Sequence, residues 1–327
     1  MYKPIINITM PVFNRPELTQ LSIIHINKLS KSVPFYFTVV DNGSDSNLQK
    51  KLINFAENKF IDKLYLLDRN IGISGACNIG WRSCESKYFL KIDNDIIIKD
   101  INFIEKIIEI SKVIGVPSVL GPALLDSMIE NSSKIIQTKY GRIALCSANV
   151  PGGALLIPRI IYLVVGMFNE DYGLYGADDG DYGLRINTTR FVQYFYENKN
   201  YFDHKGKWDS SEYDDMGLNK ESEHKKLFYD NGIGLLKLNS YLFNSHIRNI
   251  KIPFRYNIIK KDRYHYITYE RHDYKKIKSA LQISKNIIDW SLKNIDVNKN
   301  SDNIMITKES FEYLKELWNR CERQNNF

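Results

Sequence analysis

Cysteine is scarce in this chain: 327 residues carry four, at Cys77, Cys84, Cys146 and Cys321. That number and spacing exclude a disulfide-stapled secreted scaffold and give no zinc-like pair. Long hydrophobic runs are also missing. The strongest, over residues 160–168, falls far short of the ~20 residues that a membrane helix needs. Met1-Tyr2-Lys3-Pro4 leads directly into strand-like sequence, so no signal peptide is expected and a reducing cytoplasm is the expected location. There is no internal repeat and no low-complexity tract. An apolar share of 43% with 25% charged residues is that of an ordinary globular chain.

The length suggests about two domains at ~150 residues each. Net charge divides them: from Ile247 to Phe327, 17 Lys and Arg stand against 10 Asp and Glu, while the first 246 residues balance. We therefore expect a main domain over 1–246, with halves near 1–120 and 121–246, and a basic extension over 247–327. Amphipathic patterns at 281–292 and 311–318 predict that the extension is mainly helical. Its Tyr-interleaved Lys and Arg suit anionic headgroups or a phosphate-bearing acceptor, hence peripheral contact with the inner face of the cell membrane. Nucleic acid is not an expected partner.

The first half alternates strands and helices in the rhythm of a parallel sheet with helical crossovers. Strands are predicted at 5–10, 35–40, 63–67 and 88–92, and helices near 48–58, 76–84 and 103–114. A further helix after Pro16 should bury Leu18, Leu21, Ile24 and Leu29. The loops 11–16, 41–46, 69–75 and 93–95 each follow a strand, and that edge of an α/β sheet forms its ligand crevice. Gly72, Gly75 and Gly80 do not have the spacing of a dinucleotide fingerprint.

Asp93-Asn94-Asp95 closes the apolar strand Tyr88-Phe89-Leu90-Lys91-Ile92. Strand alternation would turn Asp93 and Asp95 to one face, where both reach one hard cation; an Asx turn is the plainer alternative. Oxygen ligands of this kind suit Mg²⁺ or Mn²⁺ bridged to substrate phosphates. A second acidic cluster, Asp178-Asp179-Gly180-Asp181, sits where a helix should begin. The helix dipole alone favours acids there.

Five segments in register carry a resemblance: Met10-Pro11-Val12-Phe13-Asn14-Arg15, Val39-Val40-Asp41-Asn42-Gly43-Ser44-Asp45, Asn70-Ile71-Gly72-Ile73-Ser74-Gly75-Ala76-Cys77-Asn78-Ile79-Gly80, Ile92-Asp93-Asn94-Asp95, and Tyr175-Gly176-Ala177-Asp178-Asp179-Gly180-Asp181. Over roughly residues 5–205 the chain resembles the family-two glycosyltransferases with the GT-A fold, a Rossmann-like, mostly parallel sheet flanked by helices. The resemblance implies a metal-dependent inverting enzyme of surface-polysaccharide synthesis. Its donor would be a nucleotide-sugar, UDP-linked first, and its acceptor a glycan or lipid-linked glycan.

The resemblance also assigns roles. Asp41 would contact the nucleobase, with Pro11, Phe13 and Asn14 as the pocket wall. Arg69, Asn70 and Gly72 would form a phosphate loop. Asp95 would ligate Mn²⁺ or Mg²⁺, with Asp93 and Asn94 on the donor and His204 as a further metal ligand. Asp179 would be the catalytic base, with Asp178, which stands where the family usually has Glu, as its rival. Gly152, Gly153, Asp181 and Trp208 would lie on the acceptor side. A sugar-phosphate nucleotidyltransferase is the enzyme alternative, but the loop after the first strand lacks the glycines that such enzymes place there. An inactive glycan-binding subunit is the other, and the joint presence of Asp41, Asp93, Asp95 and Asp179 argues against it.

Overall fold

The computed structural model describes residues 4–187, 189–206, 254–261, 264–271 and 293. The elements, in chain order, are β1 (Ile6–Val12), α1 (Pro16–Asn27), β2 (Phe35–Asp41), α2 (Ser46–Glu57), β3 (Lys63–Leu67), α3 (Ile73–Arg82), β4 (Tyr88–Ile92) and β5 (Ile96–Ile98). Then come α4 (Phe103–Ile114), β6 (Ser118–Ala123), α5 (Asp126–Glu130), β7 (Ile135–Thr138), β8 (Gly141–Cys146) and β9 (Ala154–Pro158). The remainder are α6 (Arg159–Val165), α7 (Asp178–Asn187), β10 (Val192–Glu197), β11 (Phe202–His204), β12 (Phe254–Lys260) and β13 (Tyr264–Arg271).

Eleven strands form one sheet in the order β12-β13-β3-β2-β1-β4-β9-β6-β10-β8-β7. Its parallel block β3-β2-β1-β4 is made by the first four strands, and β9 enters antiparallel between β4 and β6. All seven residues of β1 are buried, as expected of a central strand with helices on both faces. The helix α3 lies against β1 so closely that a Cβ on Gly80 would stand 2.2 Å from Thr9 Cγ2. Asn7 fixes the same contact, its Nδ2 donating to Gly80 O at 3.0 Å.

One expectation is corrected. The helix α1 buries Thr19, Ser22, Ile23 and Ile26, whereas Leu21 and Ile24 are exposed. The reason is β5, which among the described residues pairs only with β11 and so presents a second edge of backbone polar groups. Ser22 Oγ donates to Ile96 O at 2.8 Å and His25 Nδ1 lies 2.6 Å from Ile98 O, so α1 turns a polar seam toward that edge. Within the extension, β12 and β13 pair as an antiparallel hairpin. Tyr264, Tyr266, Ile267 and Thr268 have strand-type side chains, and Ile267 is buried with Val40, Leu67 and Ala76. The predicted helices at 281–292 and 311–318 lie outside the described residues.

Candidate active site

The loops following β1, β2, β3 and β4 meet the start of α7 in one cleft of about 320 Å³. Of the residues singled out in the sequence, Pro11, Phe13, Asn70, Asp93, Asn94, Asp95, Gly152, Gly153, Asp178, Asp179 and His204 line it.

The chain does not continue as a strand through the acidic triplet. β4 ends at Ile92, and a turn closed by Ile96 N donating to Asp93 O at 3.1 Å carries residues 93–95. A turn, not the pleat, therefore sets the two carboxylates, and each meets a basic side chain of its own. Lys91 Nζ donates to Asp93 Oδ1 at 2.6 Å, and Arg15 Nη1 donates to Asp95 Oδ2 at 2.5 Å. Asn94 is spent on structure, donating to Thr19 Oγ1 at 2.9 Å and Asn14 O at 3.2 Å.

His204 reaches the site through β11. Its register places His204 opposite Ile96, and Lys205 N donates to Asp95 O at 2.9 Å. Nε2 of His204 then stands 3.3 Å from Asp95 Oδ1. That contact with Asp95 holds the imidazole's pKa above its usual value although burial opposes it. Burial would raise Asp95, but the His204 contact and the Arg15 charge hold it below the usual carboxylate range.

On the opposite wall, Gly176 and Ala177 take left-handed backbone, with φ of 85° and 62°, and swing the chain into α7. Asp178 and Asp179 occupy its first turn, where the helix dipole favours them. Asp178 is the more deeply buried; its carboxyl is pushed up to about 7 by burial and by the Asp179 charge beside it. Burial also raises Asp179, against the pull of Lys91. Asp181 does not line the cleft. It is fully buried, accepting from Arg185 Nε at 2.7 Å and from Tyr172 OH at 3.0 Å, while Arg185 also donates to Val165 O and Met167 O. Its work is to fasten α7 to the loop before it.

Asp41 stands behind the wall, fully buried, while its neighbour Asn42 faces the cleft. Gln49 Nε2 donates to Asp41 Oδ2 at 2.8 Å, and no donor meets Oδ1 among the described residues. Burial pushes this carboxyl up to about 6, against hydrogen bonds from Ser44 and Gln49. Asn42 shapes the next loop: its Nδ2 donates to Asn70 Oδ1 at 2.8 Å and its Oδ1 accepts from Ile71 N at 2.9 Å. Gly72, with φ 91°, closes that loop onto the segment before α7, since a Cβ there would sit 2.1 Å from Gly173 O. Arg69 is exposed and pairs with Asp68, and Asn14 contributes through its backbone. Trp208 lies outside the described residues.

Arg15 and Lys91 were not among the expected site residues. Arg15 follows Asn14 in left-handed backbone, with φ of 53° and 58°, strain of the kind that gathers at functional sites. Sequence gives no sign of it. Lys91 did have a signal, a lone cation inside an otherwise apolar strand.

This cleft, at the carboxyl ends of parallel strands and opposed by an acidic helix start, sits in a GT-A fold. Residues 7–123 match the sequence model of Glycosyl transferase family 2. No curated protein matches the sequence. The solved mannosyltransferase PcManGT from Pyrobaculum calidifontis, in complex with GDP-Man and Mn²⁺, shares the fold. Its TM-score is 0.53 at 11% identity, over 99% of this chain and 88% of that one. S. aureus TarS aligns with a TM-score of 0.46 at 14% identity, over 77% of this chain. The match spans 46% of the TarS chain, under half its length.

Proposed function

We propose that this protein transfers a sugar from a nucleoside-diphosphate donor to a hydroxyl of a glycan acceptor, with inversion at the anomeric carbon. The observation that carries this reading is one cleft with the 93–95 turn on one wall and Asp178 and Asp179 on the other. Pro11 and Phe13 would flank the nucleobase, Asp41 would accept from its imide through Oδ1, and the Asn42–Asn70 pair would hold the phosphate loop. Asp179, less buried than Asp178, would take the acceptor's proton as its oxygen attacks the anomeric carbon. The bond from that carbon to the diphosphate breaks in the same step. A base so placed contributes ~10²–10⁴-fold.

The residues fit Mn²⁺ or Mg²⁺. Such ions are commonly held by one or two carboxylates plus substrate phosphates and waters. Asp95 with His204 beside it supplies that kind of partial set, and among the described residues no three His, Cys, Asp or Glu form a closed cage. When bound, the ion would neutralise the departing diphosphate. UDP-sugars are the first donor candidates and GDP- or dTDP-sugars the next. Among the described residues no helix is long and apolar enough to cross a membrane. We assign the acceptor to a lipid-linked surface glycan met at the inner membrane face by the basic tail.

The test is a thermal-shift screen of UDP-, GDP- and dTDP-sugars with and without Mn²⁺, followed by transfer to glycan acceptors. A shift with one nucleotide, enhanced by Mn²⁺, is expected. No shift with any of them would refute the reading.

A further inference from the structure

Lys91 is almost wholly buried, at 1% exposure, in the middle of β4. A buried ammonium costs several kcal/mol unless it is paired, and even a paired one is often no more stabilising than an apolar side chain of the same length. Fold stability is therefore a poor reason for a lysine here. Its contacts suggest a better one. Nζ donates to Asp93 Oδ1 at 2.6 Å on the donor side and to Gly152 O at 2.7 Å on the acceptor side. An ammonium has three N–H donors. The third is left for the cleft that Lys91 lines. A second link lies parallel to the first: Asp93 N donates to Gly153 O at 2.9 Å. Gly152 is also close to the acidic helix start, for a Cβ on it would be 3.2 Å from Lys91 Nζ and 3.8 Å from Asp179 Cβ. Burial would strip the lysine of its proton, but the Asp93 carboxylate outweighs it and the pKa lies above the ordinary lysine range.

We infer that Lys91 is a positioning residue for sugar transfer, joining the donor-side turn at Asp93 to the Gly152 loop. It also places a fixed positive charge beside the Asp178–Asp179 pair. This rests on the reading of the cleft as a glycosyltransferase site. Removing the charge leaves Asp93 without its cation and lets the Gly152 loop shift from beneath the acceptor, so turnover falls while the nucleotide is still held by the walls around Asn42 and Asn70.

The experiment compares wild type, Lys91→Met, Lys91→Gln and Asp179→Asn. Each is measured for UDP affinity by calorimetry, for kcat and KM of transfer, and for melting temperature. Gln offers N–H donors without the charge, one bond short of the lysine's reach, and decides the matter if the Met variant fails to fold. We expect both Lys91 variants to lose roughly 10²-fold or more in kcat, the scale of a misplaced catalytic group, with UDP affinity held within about threefold. A Lys91→Gln kcat within about threefold of wild type beside an inactive Asp179→Asn would overturn the inference alone. So would UDP affinity falling in step with kcat, which marks lost binding. A wild type that binds no nucleotide of the donor screen refutes the glycosyltransferase reading and this inference with it.

Discussion

Replacing Asp41 with Asn should stabilise the fold and weaken donor binding. The carboxyl rises from 3.8 to about 6 because it is buried. At 1.36 kcal/mol per unit, about two units make ionisation cost roughly 3 kcal/mol in the folded state. The folded pKa lies above the unfolded one, so the native state keeps its proton longer. Wild-type stability therefore falls as pH rises from about 4 to about 6, and the penalty is complete above that window. Asn carries no charge to bury, but its amide adds N–H donors where Oδ1 now meets none, at a cost of about 1 kcal/mol or more. The net gain at pH 7.5 is about 2 kcal/mol, a rise of a few degrees in Tm, cancelling near pH 4.5, where the penalty has shrunk to about 1 kcal/mol, and turning to a small loss below it. UDP affinity should drop about tenfold or more, the size of a lost hydrogen bond to a charged acceptor. Melting curves across pH 4–8 with UDP calorimetry test both parts. A Tm that falls at pH 7.5, or a difference indifferent to pH, would refute the burial argument. Unchanged UDP affinity would refute the nucleobase contact.

The other predictions concern the remaining walls. Asp95→Asn should abolish the Mn²⁺ enhancement of nucleotide binding seen by calorimetry; persistence of that enhancement removes Asp95 from the metal. Asp179→Asn should cut kcat by ~10²–10⁴-fold with donor affinity nearly intact, and normal turnover would move the base to Asp178. Arg185→Met should cost about 3–5 kcal/mol in denaturant unfolding, since it leaves the Asp181 carboxylate buried without its cation. A loss under 1 kcal/mol would show that the pair is not a clasp. Truncation after residue 271 should weaken binding to anionic vesicles while sparing the hairpin, and equal partitioning with and without the tail would dismiss the membrane contact.

Much of the fold was legible because its signals are local. The bounds of β3, β4 and α4 follow from apolar runs and a 3.6-residue stripe, and the sheet edge with its loops follows from their order. The orientation of α1 was not, because its polar seam answers β5, some 70 residues downstream. The hairpin was not legible either, because its Lys and Arg obscure the alternation that marks a half-buried strand. At the site, the carboxylates were visible as motifs. Their cations were not equally so: Lys91 is conspicuous in an apolar strand, whereas Arg15 is aimed by a backbone twist that residue type does not encode. Asp181 shows the reverse case, a motif residue whose neighbours Tyr172 and Arg185 take both its oxygens.

The hairpin has a consequence for synthesis. β13 pairs in parallel with β3, and His265 meets Lys63 across 202 residues of chain. A strand with a bare edge is a template for pairing with another molecule. During translation the parallel block can assemble early, yet β3 must wait for nearly the whole polypeptide before its edge is closed. The nascent chain thus carries an adhesive border for most of its time on the ribosome, and slow or interrupted synthesis should favour aggregation through β3.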